Sequence, residues 1–438
     1  MKVNSTKLQS FYWSLISCSI FILSSYSCKS NSFPTSREPG KKSLATGYAF
    51  NKGIDGFQVT KFKGQNVGSD LVFVEGGMMV VGDFDDDLTN PRNSFKRNVS
   101  VASFFIGRTP VVNLEWREYL HWLKINSTQE EYQAALPNSQ VWKRDLAYND
   151  PYIDNYSDYL GFNFFPVVGI SYNQAVKYCS WKTKYVNNRL AKEAGYTIDF
   201  LADLRKAPEP GDDSDISAGD QDTSLGDSDQ DTTDQNVDAD ADMQMMINEL
   251  KSKGVLLPSE YRLPTEMEWE YAARALIGVQ DESFVQEAQR IYPWSGLSIR
   301  DKNGKFLANF KRGRGNYKGV AGESNYNGPT THVYAYPPND LGIYDIVGNV
   351  CEYVLDVYRP DSIHDMDDFN PVRRDGSGDE SGDYKSSNPL INDNAIVYKG
   401  ASWKDCAYWL AISKRRYTDK NASTDTVGFR CAMTSAGD

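Results

Sequence analysis

Between Ala207 and Asp242 the chain carries thirteen acidic residues, no Lys or Arg, and almost no large apolar side chain. Such a tract cannot bury enough surface to offset the entropy of ordering its backbone, so it is expected to stay disordered. This constrains everything else. Any core must come from the stretches on either side, 69–205 and 251–438, read as one large domain interrupted by an acidic insertion at 206–250. A second polar stretch, 361–394, contains Asp375-Gly-Ser-Gly-Asp-Glu-Ser-Gly and reads as another mobile loop. Asp227, Asp229, Asp231 and Asp234 are spaced so that calcium capture is conceivable, but the tract lacks the fixed glycine of known calcium loops. A solvated linker is the favoured reading.

The tract also explains the charge. The net charge is −12, and most of it lies in the insertion, not on a folded face. That negative balance argues against a nucleic-acid binder, which would need basic patches for phosphate. The three histidines, His121, His332 and His364, are too scattered for a zinc or non-haem iron centre.

At the N-terminus, Lys2 and Lys7 precede an apolar-leaning run from Phe11 to Tyr26, followed by Ser27-Cys28. This reads as a secretory signal over 1–27, with lipidation of Cys28 after cleavage. Residues 28–68 are expected to form a tether and a short lead-in strand. No later stretch is apolar enough to span a membrane.

Within the folded stretches, Leu71–Val74 and Met78–Val81 around Glu75-Gly-Gly77 read as a hairpin with a glycine turn. Asn113 is expected to cap a helix with Trp116, Tyr119, Leu120 and Leu123 on one face. Pro166–Ile170 reads as a strand, and Asn173 as the cap of a helix bearing Ala175, Tyr178 and Cys179. Thr265-Glu-Met-Glu268 is a capping box that starts a helix with Trp269, Ala272, Ala273 and Leu276 on one face.

Seven motifs then occur in order: Val72-Phe-Val-Glu-Gly-Gly77, Val111-Val-Asn113, Pro166-Val-Val-Gly-Ile-Ser-Tyr172, Tyr261 to Ala273, Asn339 to Val350, Lys399-Gly-Ala-Ser-Trp403 and Val427-Gly-Phe-Arg-Cys431. Together they resemble the formylglycine-generating enzyme (sulfatase-modifying factor) family. The fold this implies is α+β and loop-rich, a variant of the C-type lectin fold in a single large domain with disordered insertions. Further segments, including Ala45-Thr-Gly-Tyr-Ala-Phe-Asn51, Tyr292-Pro-Trp-Ser-Gly296 and Ala407-Tyr-Trp-Leu410, resemble gliding-motility lipoproteins of the GldJ and GldK type. That resemblance implies an outer-membrane lipoprotein facing the periplasm, with periplasmic ring components of the type IX secretion and gliding machine (GldK/GldN-type) as partners.

In the enzymes of this family a copper ion is held by two thiolates, and soft sulfur suits Cu(I). Counting from Gly400-Ala-Ser-Trp403, the resemblance puts the thiolate positions at Asp405 and Leu410. Cys406 is one residue out of register. The expectation is no catalytic residue, no copper and a non-enzymatic scaffold. The competing readings are a sulfatase-modifying oxidoreductase with an unfamiliar site and a lectin-like glycan-binding module.

The resemblance further implies a disulfide between Cys179 and Cys431, while Cys351 and Cys406 have no family partner. They read as free buried thiols or, alternatively, as a second bridge. It also implies structural calcium, held by Asp345, Gly348, Val350 and Glu352 in one loop. A second set comprises Asn309, Phe310, Asn325 and Asn327. For both sets the plainer alternative is a tight turn held by side-chain caps.

Overall fold

Apolar residues at helical spacing need one face to bury, and α1 (Asn113–Asn126) buries Trp116, Tyr119, Leu120 and Leu123. They meet Tyr178, Cys179 and Trp181 of the long helix α4 (Tyr172–Glu193), with Trp116 stacked on Tyr178 at 5.4 Å between ring centroids. The computed structural model describes residues 34–43, 45–52, 57–59, 61–82, 96–205, 244–275, 290–313, 329–359, 367–373 and 394–436. Residues 65–437 make one compact unit and 1–64 belong to another.

Among the described residues ten strands build three sheets in the larger unit: β1 (Leu71–Val74), β2 (Gly77–Val81), β3 (Arg97–Val101), β4 (Phe104–Gly107), β5 (Tyr261–Arg262), β6 (Cys351–Val357), β7 (Ala395–Lys399), β8 (Arg415–Asp419), β9 (Val427–Phe429) and β10 (Ala432–Thr434). Their orders are β1-β4-β10-β5, β2-β3 and β8-β7-β6-β9, with β6·β9 parallel and the other named pairs antiparallel. Shorter helices are α2 (Gln129–Ala135) and α3 (Asp150–Asn155); α6 (Glu266–Arg274) packs Met267, Trp269, Ala272 and Ala273 into a second core shared with β2, β3, β4, β6 and β7.

The capping box forms as expected: Glu268 N–H donates to Thr265 Oγ1 at 3.1 Å, and Thr265 N–H to Glu268 Oε2 at 2.9 Å. Leu276 lies outside the described residues. Several expectations are corrected. β1 and β2 do not pair as a hairpin; they enter different sheets. A glycine hairpin turn needs positive φ, which neither Gly76 nor Gly77 has, and a Cβ on Gly76 would meet the Val101 carbonyl at 2.5 Å. The glycines make a crowded corner.

Asn113 is the first helical residue, not the cap, because its amide donates to the Tyr156 and Phe162 carbonyls at 3.1 Å. Ser171, not Asn173, caps α4; its hydroxyl accepts from Gln174 N–H while Gln174 Oε1 accepts from Ser171 N–H at 2.7 Å. Residues 166–170 form no strand. Their backbone groups go to scattered partners, Val167 N–H to Val111, Gly169 N–H to Thr424 and Asn138 N–H to Gly169.

The insertion, expected to run to 250, also ends earlier. Residues 244–252 form a helix, α5, whose Leu250 is buried against Ala191, Ile198 and Leu256. Residues 206–243, Cys28 and most of 361–394 lie outside the described residues. In the smaller unit no strand forms among the described residues; a bridge between Lys42 and Ala49 stands where a lead-in strand was expected. Among the described residues no helix is long and apolar enough to cross a membrane.

Candidate functional site

The segment leaving β7 turns at Gly400, whose φ of +75° favours glycine, and runs under Trp269 to Ser402 and Trp403. Trp403 stacks on Trp142 at 6.1 Å and donates its indole N–H to the Asp425 carbonyl at 3.0 Å. Asp405 follows, then the exposed Cys406 and a short 3-10 turn over Ala407–Leu410.

The Asp405 carboxylate is saturated. Arg416, on β8, donates Nη1 to Oδ1 at 2.7 Å and Nη2 to Oδ2 at 2.8 Å, while Ser402 donates its hydroxyl at 2.6 Å and its N–H at 2.8 Å. Burial pushes this carboxyl up, but the Arg416 and Ser402 hydrogen bonds and the Arg416 charge outweigh it and hold the group below its ordinary value. Arg416 Nη2 also donates to the Gly400 carbonyl at 3.2 Å and to Cys351 Sγ at 3.0 Å, and its plane lies 4.4 Å over Trp409. Leu410 is fully buried.

What this arrangement can do follows from its atoms. A carboxylate already paired two-pronged to a guanidinium offers no soft ligand, and Leu410 offers none at all. Cys351 is the nearby thiol, 3.6 Å from Asp405 Oδ2. Burial drives its pKa well above the usual thiol value, so it is held as the inert thiol. Sequence reasoning located Asp405 and Leu410 through the Gly400-Ala-Ser-Trp403 register. It missed Arg416, Ser402 and Cys351 as one cluster, because three separate elements bring them together and no spacing rule connects these elements.

Cys179 and Cys431, both buried, face each other with sulfurs 3.8 Å apart. Cys351 is buried as expected, and Cys406 is exposed, which corrects the reading of both as buried.

The two calcium sets differ in fit. Glu352, fully buried, accepts from Arg430 Nε and Nη2 at 2.6 Å each and from the Trp269 indole at 2.7 Å. Its charge is therefore already neutralised, and the 345–352 loop does not offer this carboxylate to a cation. Asp345, with a φ of 48°, accepts from the Asn349 amide at 2.9 Å. Gly348 has positive φ and a Cβ there would crowd Ala308 and Asn309 at 2.9 Å, so the position calls for glycine, and Val350 is buried with Trp142 and Phe165. In the other set, Asn309 Oδ1 is buried without a hydrogen-bond partner, which suits an oxygen meant for a cation, and Phe310 beside it is buried. Asn325 and Asn327 lie outside the described residues. Among the described residues no cluster of three or more His, Cys, Asp or Glu could hold a metal.

Known proteins place this geometry. Mouse formylglycine-generating enzyme is 34% identical over 175 residues, covering 39% of this chain and 38% of its own length. Mouse inactive C-alpha-formylglycine-generating enzyme 2 is 31% identical over 182 residues, covering 40% of this chain and 44% of the relative. The chain thus spans less than half the length of these relatives. Among solved structures, PvdO from Pseudomonas aeruginosa aligns over 85% of this chain and 99% of its own at 17% identity, with a TM-score of 0.45. Residues 57–435 match the sulfatase-modifying factor enzyme 1-like domain, and the mixed α/β chain described above belongs to that family.

Proposed function

We propose that this chain is a non-enzymatic member of the family, a lipid-anchored scaffold on the periplasmic side of the outer membrane. It serves the type IX secretion and gliding-motility machinery and docks periplasmic ring components of the GldK/GldN type. The non-enzymatic part rests on the count from Gly400-Ala-Ser-Trp403, which by resemblance puts the two thiolate positions at Asp405 and Leu410, and it is supported by Asp405 being held by Arg416 and Ser402 and by the burial of Leu410. The names of the mouse and bovine relatives, inactive C-alpha-formylglycine-generating enzyme 2, support it. The scaffold and its location rest on the lipoprotein-like N-terminus and the resemblance to GldJ-type proteins. A C-type-lectin-like frame and a structural calcium at the Asn309 set complete the reading.

The test has two arms. Purified protein incubated with a sulfatase-derived Cys peptide, copper and oxygen should yield no formylglycine by mass spectrometry. Turnover abolished by Cys406→Ser would restore the enzyme. From solubilised outer membrane, tagged protein should co-purify with secretion-machine components, and Cys28→Ser should release it from the membrane fraction. Retention of that variant without incorporated palmitate would count against the anchor.

A further inference from the structure

The chain is acidic overall, yet one described surface runs the other way. Residues 299–307 form a short hairpin: Leu307 N–H donates to the Ile299 carbonyl at 3.1 Å, Asp301 N–H to the Lys305 carbonyl at 2.8 Å, and Arg300 bridges to Phe306. Together with the segment that leaves it, the hairpin carries Arg300, Lys302, Lys305, Lys311 and Arg312 against a single acid, Asp301. Arg300, Lys302 and Lys305 are exposed and Arg312 is half-buried.

Phe306 turns this charge into geometry. The Arg300 guanidinium carbon lies 3.8 Å from the ring centroid and that of Arg312 lies 4.0 Å from it. Neither distance can be reached past the rim hydrogens, so each cation sits over the ring, and two guanidiniums meet on one aromatic side chain.

The neighbouring acids do not neutralise this pair. Asp301 Oδ1 accepts from the Asn303 and Lys305 N–H groups at 2.9 and 2.8 Å, and Oδ2 from the Asn303 amide at 3.4 Å, so this carboxylate shapes the turn. Asp405, whose carbonyl accepts from Lys311 N–H at 2.8 Å, has its carboxylate filled by Arg416 and Ser402. Among the described residues Arg300 donates to the Gly304 carbonyl at 2.7 Å, and Arg312 has no ion-pair partner and a buried, unpaired Nε.

We propose that the 299–312 segment is an anion site for phosphate-bearing ligands, gripped by Arg300 and Arg312, both stacked on Phe306, with Lys302 and Lys305 at its rim. A single carboxylate can neutralise only one guanidinium. A phosphate group brings more charge and more acceptor oxygens, matched to two forked donors. The ligand's phosphate belongs either to a free polyphosphate or to a lipid headgroup.

The experiment titrates the full chain with inorganic pyrophosphate by calorimetry at low salt. In parallel it is sedimented with vesicles of phosphatidylcholine alone or mixed with phosphatidylglycerol. Binding to pyrophosphate that weakens roughly tenfold or more in the Arg300→Gln/Arg312→Gln double variant supports the proposal with a free phosphate as source. Sedimentation with the phosphatidylglycerol vesicles only, lost in the same variant, supports it with a lipid source. Arg300→Lys, which keeps the charge but not the fork, should retain part of the binding and guards against a folding defect. Absence of binding to both probes overturns the proposal, as does binding that the double variant leaves unchanged. Equal affinity for an oligoglutamate peptide would also overturn it, by pointing to acidic polypeptide instead.

Discussion

Arg416 carries more of the site than any other single side chain. It is the sole cation on Asp405 among the described residues, it contacts Cys351, and it stacks over Trp409. Arg416→Ala would leave a largely buried carboxylate with only Ser402 and the weakly donating Cys351 thiol as partners. Breaking a fully buried pair costs about 3–5 kcal/mol; with these side chains 19% and 17% exposed, a loss of about 2 kcal/mol is expected in urea unfolding. Arg416→Lys should cost less, since the charge remains. A change under about 0.5 kcal/mol in Arg416→Ala would mean that the pair is cosmetic. The register of Asp405 was legible because a Gly-Ala-Ser-Trp turn fixes the count from Trp403. Its partner was not, because Arg416 reaches the site through strand pairing, which leaves no local spacing to read.

Asp356 ties two elements together. Carried on β6, it accepts from Glu266 N–H at the start of α6 at 2.7 Å and from Arg373 N–H at 2.8 Å. Burial, then the neighbouring Glu266 charge, push its carboxyl up to about 7, against the two backbone donors and Arg415. Lys399 and Arg415 face Glu266 from β7 and β8 at 3.5 and 3.2 Å. In the unfolded chain an Asp loses its proton near 3.9, so between about 4 and 7 the native state binds more protons, and stability falls as pH rises through that window. Urea unfolding at pH 5 and pH 8 should show this decline, flattened in Asp356→Asn; an equal or steeper decline in the variant would assign it to other groups. At this scale the helices were legible and the turns were not. Trp116, Tyr119, Leu120 and Leu123 announce a buried stripe by their spacing alone. Asn113 and Gly76 instead serve partners far away in sequence, and tertiary contacts decided against the local preference for a cap and a hairpin turn.

Across the molecule, Cys179 on α4 and Cys431 between β9 and β10 lie close enough to join the two halves of the chain. Closing a loop of that length would add up to about 5 kcal/mol in the chain-entropy account. Protein from an oxidising compartment, unfolded without reductant and alkylated, should show Cys351 and Cys406 modified while Cys179 and Cys431 are protected; modification of all four would show that the pair stays reduced. The place of β10 has a different consequence, in the order of events during synthesis. It lies between β4 and β5, and β9 is the parallel partner of β6, so both larger sheets wait for residues 427–434. A ribosome that has reached Thr426 has made every described helix of the larger unit, yet the first sheet still has a gap in its middle. Until residues 427–434 emerge, β4, β5 and β6 each lack the partner that completes their sheet, so these long-range pairings can only form late.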